Sequence, residues 1–146
     1  MFILDTNVIS ELMRPVPNDS VIEWVARQVG PSLYISSVSE AELRYGVQIL
    51  PAGRRRDRLL AEVEEMLKED LAGRVLPFGR DAARVYALIA AGRRASRLPI
   101  SHSDCQIAAT AHSLGFSVAT RNVDDFTGCG IQVIDPWSTS GTQLQG

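Results

Sequence analysis

Three acidic residues stand where the sequence pattern predicts the end of a strand or the start of a helix. Asp5 directly follows the apolar run Phe2-Ile3-Leu4, while Glu42 and Asp104 lie near the starts of two later helical segments. A further polar group, residues 120–125, follows another apolar run. Functional side chains of parallel sheets gather at the carboxyl ends of the strands, so these oxygen atoms are expected to converge. Carboxylates that converge repel one another, and a hard divalent cation such as Mg²⁺ relieves that repulsion.

Helix capping is an alternative explanation for two of these acids. Ser39 with Glu42, and Ser101 with Asp104, both match the capping-box pattern, and acids in a first helical turn also complement the helix dipole. Asp5 has no such simple explanation, because an acid at the end of a buried strand is costly unless it is paired or ligated. The residues alone therefore favour a functional role for Asp5 and leave both explanations open for Glu42 and Asp104.

The elements that must position these acids alternate along the chain. Short apolar runs typical of buried strands are separated by segments in which apolar residues recur at helical spacing. The predicted strands are residues 2–4, 33–35, 75–78, 117–119 and 131–134. The predicted helices are residues 8–13, 20–29, 39–50, 54–70, 81–95 and 101–114. This alternation predicts one α/β domain over residues 1–137 with a mainly parallel sheet, followed by a flexible polar tail at 138–146.

Composition excludes several other classes of protein. The 146 residues are 45% hydrophobic and 22% charged with a net charge of −2, which indicates a globular domain and not a protein that coats nucleic acid. Lys68 is the only lysine, and this bias towards arginine fits phosphate binding or a GC-rich genome equally. We expect no membrane span and no signal peptide, and the two cysteines fit a reducing cytoplasm.

Four segments occur in an order that matches a known pattern. They are residues 4–11 (LDTNVISE), 39–46 (SEAELRYG), 104–111 (DCQIAATA) and 118–126 (VATRNVDDF). Together they resemble the PIN-domain endoribonucleases, specifically the VapC-type toxins of type II toxin–antitoxin pairs in their FitB-like branch. The closing Ile134-Asp135-Pro136-Trp137 also resembles the end of that branch.

The resemblance implies a fold, a cofactor and a set of site residues. The implied fold is a PIN-like three-layer α/β/α domain with a mainly parallel sheet of about five strands. The implied cofactor is Mg²⁺, with Mn²⁺ as a substitute, held by Asp5 and Asp104, and Glu42 completes the implied catalytic acids. Asn122 stands where the family has a fourth acid, so the number of metal ions stays open. Asn122 itself, Asp124 and Asp125 are further candidates for the metal site.

The implied chemistry is cleavage of RNA by a metal-activated water that attacks the phosphodiester in line. An acidic pocket repels RNA, so nearby cations must position the backbone. Thr6, Arg44 and Arg121 are the candidate substrate-binding residues, and the arginines at 54–56 are a further candidate group.

The resemblance also implies partners, and one alternative function remains. The implied partners are the RNA substrate, a cognate antitoxin, a second copy of the chain, and operator DNA reached only through the antitoxin. The alternative is a non-catalytic PIN-like interaction module whose acids only cap helices. A haloacid-dehalogenase-like phosphatase would need an acid where Asn7 stands, and a receiver domain would need a lysine beyond Lys68.

Overall fold

A six-stranded sheet forms the centre of the molecule in the computed structural model, which describes residues 1–138 and 143–145. Five strands run parallel, and the sixth pairs antiparallel with the fifth, in the order β3-β2-β1-β4-β5-β6. The strands are β1 (Phe2–Leu4), β2 (Leu33–Ser36), β3 (Val75–Leu76), β4 (Ser117–Ala119), β5 (Gln132–Ile134) and β6 (Gln143–Gln145). The predicted parallel sheet of about five strands is therefore confirmed.

Six α-helices connect and cover the strands. They are α1 (Thr6–Leu12), α2 (Asp19–Arg27), α3 (Ser37–Gln48), α4 (Arg54–Glu65), α5 (Arg80–Ala95) and α6 (His102–Leu114). A π-helical turn, Met66–Asp70, extends α4, and a short 3₁₀ helix, Val123–Phe126, follows β4. In the part of the chain that the structure describes, no helix combines the length and the apolar character needed to cross a bilayer.

Successive residues of each central strand face opposite layers of helices. Ile3 and Val118 point into a core formed with α5 and α6, whereas Leu4 and Ala119 point into a second core formed with α1 and α2. Side chains alternate in this way along any strand, and here both faces are covered. The strands therefore read as continuous apolar runs, which is typical of parallel sheets between two helical layers.

The order of the strands creates a crevice between β1 and β4. The chain first builds β1, β2 and β3 outwards in one direction, and then returns through α5 and α6 to place β4 on the other side of β1. The connections after β1 and β4 therefore diverge, which opens a site at the carboxyl ends of these two strands. Asp5 and Thr120 occupy those ends, where the Asp5 amide donates to the Ala119 carbonyl at 2.9 Å.

The start of α3 differs from the capping interpretation of Glu42. The helix begins at Ser37, and its N-cap is Ser36, whose hydroxyl accepts from the Val38 amide at 3.1 Å. Ser39 therefore lies inside the helix and Glu42 lies in the second turn. The explanation of Glu42 as a member of a capping box with Ser39 is wrong. Ser101, in contrast, is the N-cap of α6, as that pattern predicts.

The predicted flexible tail falls mainly outside the described residues. Residues 139–142 and 146 are not among them, so their flexibility stays a prediction. Within the tail, Gln143–Gln145 forms β6 at the border of the sheet. The sequence did not predict this strand, because strands were predicted from apolar runs and this segment is polar. A strand at the edge of a sheet can form its backbone hydrogen bonds without such a run.

Candidate active site

A cleft of about 540 Å³ opens at the crevice between β1 and β4. It brings together the three predicted acids, Asp5, Glu42 and Asp104, although they are separated by up to about a hundred residues of sequence. The other residues that line the cleft are Thr6, Asn7, Ser10, Glu11, Arg14, Arg121, Asn122 and Trp137. The site therefore lies where the strand order requires it, and it is rich in oxygen donors.

Asp5 is the most deeply buried of the three acids. Its side chain is only 6% exposed, and it accepts hydrogen bonds from the Thr6 amide at 2.8 Å and from the Thr120 hydroxyl at 2.7 Å. Burial raises the pKa of Asp5 from 3.8 to about 6. The two hydrogen bonds lower this pKa, while the charges of Asp104 and Glu42 raise it further. A buried carboxylate in this setting gains most from a bound cation.

Asp104 enters the cleft from the first turn of α6. Its backbone amide donates to the Ser101 hydroxyl at 3.2 Å, which fixes the start of the helix. Burial raises the pKa of Asp104, and a hydrogen bond with the Ser101 side chain lowers it. The charges of Asp125 and Glu42 raise this pKa, and that of Arg93 lowers it. Asp104 is therefore both a capping-region acid and a member of the acidic cleft.

Thr6 connects Glu42 to Asp5. The Thr6 hydroxyl donates to Glu42 Oε1 at 2.8 Å and lies 2.9 Å from the hydroxyl oxygen of Ser39, while its backbone amide donates to Asp5. Ser39 is fully buried beneath this contact. One residue of α1 thus fixes an acid of α3 relative to the acid at the end of β1. Thr6 was predicted to bind substrate, and the structure places it in the cleft.

Thr120 and Asn7 complete the support of Asp5. The sequence pattern had included Thr120 only as a member of the polar group 120–125, and it had given Asn7 no role in the site. The buried Thr120 hydroxyl donates to Asp5 and accepts from Asn7 Nδ2 at 3.3 Å and from the Asn122 amide at 3.1 Å. The Asn7 side-chain oxygen accepts from the Arg121 amide at 3.3 Å. The signal was present in the sequence, because Asn7 and Thr120 directly adjoin predicted site residues. Their partners became visible only once β1 and β4 were seen to be neighbours.

The two predicted RNA-binding arginines differ in placement. Arg121 lines the cleft, with its guanidinium carbon 5.3 Å from the centre of the Trp137 ring. Arg44 does not line it, because its side chain pairs with Glu40 on the same helix at 2.8 Å and with Glu64 on α4. Arg44 therefore joins α3 to α4 in this structure, and its position does not support the predicted contact with substrate.

The candidates for a fourth oxygen ligand differ in their position relative to the cleft. Asn122 lines the cleft, whereas Asp125 is exposed on the 3₁₀ helix after β4 and reaches Asp104 only through its charge. Asp124 is exposed on the same helix. The structure thus favours the neutral Asn122 over the two aspartates as a neighbour of the three acids.

The donor set fits a hard divalent cation held by few protein ligands. Among residues 1–138 and 143–145, no three side chains of His, Cys, Asp or Glu are clustered tightly enough to form a complete metal cage. Mg²⁺ does not require one, because it keeps several waters and is bound through one or two carboxylates together with phosphate oxygens. Asp5, whose pKa is raised chiefly by burial and further by the neighbouring acids, matches that kind of site.

Comparison with known proteins places the chain in a family. The family model described as the PIN domain matches residues 2–127. The VapC ribonuclease Y4jK of Sinorhizobium fredii is 44% identical over 94% of this chain and 98% of its own length. Toxin FitB of Neisseria gonorrhoeae is 38% identical over 94% of this chain and 99% of its own length.

Solved structures agree with these sequence similarities. A structure of FitAB bound to an IR36 DNA fragment contains a chain that is 37% identical, with a TM-score of 0.89 over 94% of this chain and 96% of that one. A DNA-bound VapBC structure from Salmonella typhimurium contains a chain that is 30% identical, with a TM-score of 0.77 over 92% of this chain and 97% of that one. The chain therefore belongs to the PIN-domain family, in the branch that contains the VapC and FitB toxins.

Proposed function

We propose that this protein is a Mg²⁺-dependent endoribonuclease that acts as the toxin of a toxin–antitoxin pair. The observation that carries the proposal is the burial of Asp5 in a cleft shared with Glu42 and Asp104, at the carboxyl ends of β1 and β4. The name of the relative that is 44% identical, a VapC ribonuclease, supports the same activity.

Asp5 and Asp104 are the residues that would hold the metal ion, with Glu42 and Asn122 beside them. Mn²⁺ is expected to substitute, because it accepts the same oxygen ligands. When bound, the ion supplies a nucleophile by lowering the pKa of water, and it stabilises charge on the phosphate. The hydrogen bonds from Thr6 and Thr120 fix the Asp5 carboxylate before substrate arrives.

The remaining cleft residues would orient the substrate. Glu42, held by the Thr6 hydroxyl, would orient the attacking water or accept its proton. Arg121 carries the positive charge that positions the phosphate backbone against an otherwise acidic surface. These roles match the residue types that the cleft presents.

The proposed partners are a cognate antitoxin and, through it, operator DNA. Relatives of this chain have been solved in complexes named FitAB and VapBC, both bound to DNA. A second cavity, of about 870 Å³, lies between α1, α2 and α4 and includes Leu12, Met13 and Leu59 in a largely apolar lining. Arg14 lines both this cavity and the cleft, so a partner segment in the cavity would reach the acids. We place this activity in the cytoplasm, where RNA and operator DNA are both accessible.

Cleavage of total RNA by the purified protein tests the activity. We expect Mg²⁺-dependent fragments from the wild type and a loss of at least about a hundredfold in Asp5→Asn, because the variant removes the charge that holds the metal. Asp81→Asn, which changes an exposed acid on α5, is the matched control and should cleave normally. Induction of the wild type, but not of Asp5→Asn, should arrest the growth of host cells. Full cleavage by folded Asp5→Asn, or equal cleavage in EDTA, contradicts the proposed metal-dependent mechanism. Absence of cleavage by the folded wild type favours the non-catalytic alternative.

A further inference from the structure

We propose that Arg121 and Trp137 form a stacking platform for one unpaired RNA base next to the acidic cleft. The platform rests on the proposed function, because it names how that site selects its substrate. The base would lie on the guanidinium group of Arg121, whose central carbon is 5.3 Å from the centre of the Trp137 ring.

Trp137 is held rigidly at the rim of the cleft. It follows β5, and its backbone amide donates to Asp135 Oδ1 at 2.9 Å in a turn that contains the buried Pro136. The half-buried indole packs against the core cluster that includes Leu4 and Ile134. A ring fixed in this way loses little conformational entropy when a ligand stacks above it.

Arg121 is the arginine of the cleft that has no carboxylate partner within the described residues. The other cleft arginine, Arg14, pairs with Glu11 at 3.2 Å. Arg121 is exposed, its backbone is held by Asn7, and its guanidinium lies over the Trp137 ring instead of against one of the three nearby acids. Its charge is therefore available to a ligand that brings both a planar surface and a phosphate.

RNA supplies both of these features. Unpaired bases stack on aromatic rings and on guanidinium planes, whereas the bases of an A-form duplex are already stacked and paired. Arg121 joins the site through Asn7, which also donates to Asp5 and Thr120, so the platform and the candidate metal ligand share one hydrogen-bond network. A base on the platform would therefore place its own phosphate near the acids.

Tryptophan fluorescence measures this contact without any cleavage. The chain has two tryptophans, and Trp24 is 4% exposed and packs edge-on against Phe2, so Trp24→Phe leaves Trp137 as the reporter. In EDTA, a short single-stranded oligoribonucleotide should quench this emission and bind at least about tenfold more tightly than the same sequence as a duplex. An abasic oligonucleotide keeps the phosphates but lacks the bases, and it should bind as weakly as the duplex.

Binding of a fluorescein-labelled oligoribonucleotide, followed by anisotropy in EDTA, tests the two residues separately. Arg121→Lys keeps the charge but loses the plane, and Trp137→Leu removes the ring, so each should weaken binding about tenfold or more. Trp137→Phe should retain most of the affinity, and Arg84→Lys, on the exposed face of α5, should retain all of it. Thermal melting identifies any variant that fails to fold, and Arg121→Lys keeps the test valid if Trp137→Leu is unstable.

The outcomes separate the platform from the proposed nuclease activity. Equal affinity of Arg121→Lys and the wild type, or equal affinity for abasic and base-containing strands, overturns the platform. In that case Arg121 and Trp137 only fasten the segment after β5 to the cleft. Mg²⁺-dependent cleavage that Asp5→Asn abolishes would still support the nuclease, whereas stacking without cleavage would support only RNA binding.

Discussion

The Asp5 carboxylate shows how one buried charge organises the cleft. Burial raises the pKa of Asp5 to about 6, even though Thr120 and the Thr6 amide donate hydrogen bonds to it. The chain therefore holds an unfavourable charge in place when no cation is present. Such a group destabilises the fold at neutral pH and favours a divalent ion at the same position.

Stability measured against pH in EDTA should reveal this cost. The pKa of Asp5 is about 6 in the folded chain and 3.8 ordinarily, so the folded state binds the extra proton. The contribution of Asp5 to the free energy of unfolding is thus highest below about pH 4 and falls by about 3 kcal/mol as the pH rises through 6. Asp5→Asn does not titrate, so urea unfolding should show it gaining stability relative to the wild type over that range. Parallel pH profiles for the two proteins would contradict this prediction.

The residue types singled out Asp5 from the sequence, because an acid after a buried strand has few structural explanations. For Glu42 and Asp104 the residues alone left helix capping open, and the resemblance to the PIN-domain family made them site residues. The same reasoning included Thr120 in a polar group but could not predict its hydrogen bond to Asp5, since a threonine is informative only when its partner is known. It also placed Arg44 in the site, although the ion pairs with Glu40 and Glu64 hold that side chain between α3 and α4. Side-chain pairing across elements depends on tertiary packing, which local patterns do not contain.

At the scale of elements, a buried arginine joins the segment before α6 to the loop after the 3₁₀ helix. Arg93, at the end of α5, is only 7% exposed and donates to the carbonyl oxygens of Leu98, Pro99 and Thr127. The first two carbonyls lie just before Ser101, the N-cap of α6. Arg93 therefore fixes the start of the helix that presents Asp104, and its charge also lowers the pKa of that acid.

Arg93→Met should destabilise the protein and weaken the proposed metal site. The variant leaves the three carbonyl groups without their charged donor, so the free energy of unfolding should fall by about 3 kcal/mol or more, as urea denaturation will show. Mg²⁺ affinity, followed by calorimetry where the variant is folded, should fall as well because Asp104 loses its support. Arg94→Met alters the exposed neighbour and serves as the control. Equal effects of the two substitutions would show that Arg93 has no special role.

At the scale of the whole molecule, large apolar side chains remain exposed on several helices, and the two most exposed of these lie on α3 and α5. Tyr45 on α3 is 67% exposed and Leu88 on α5 is 75% exposed. We propose that these side chains take part in the homodimer that the family resemblance implies, because burying them in an interface is favourable by about 1.5 to 3 kcal/mol each for full burial.

Sedimentation of the purified protein will test that assembly. We expect a dimer for the wild type, and a shift towards monomer in Tyr45→Glu and Leu88→Glu, because each variant would bury a charge at the interface. Val16→Glu changes an exposed residue between α1 and α2 and should leave the dimer intact. A monomeric wild type at high concentration would exclude the homodimer.

The sequence predicted the elements of the fold better than their arrangement. Apolar runs and helical spacing located the five parallel strands and six helices, because burial imposes those periods directly. The position of β4 beside β1, and hence the cleft, followed only from a family resemblance or from coordinates, since strand order depends on long-range pairing. The sequence did not predict that β6 pairs with β5, because this polar segment has no apolar periodicity.

That last pairing limits how molecules of this protein can associate. β6 forms one margin of the sheet and is three residues long, and β3 at the opposite margin is only two residues long. A strand from another molecule thus finds little backbone to extend. Edge-to-edge addition of strands from other molecules is therefore disfavoured at both edges of the sheet. Contacts between copies are expected to use the helical layers instead.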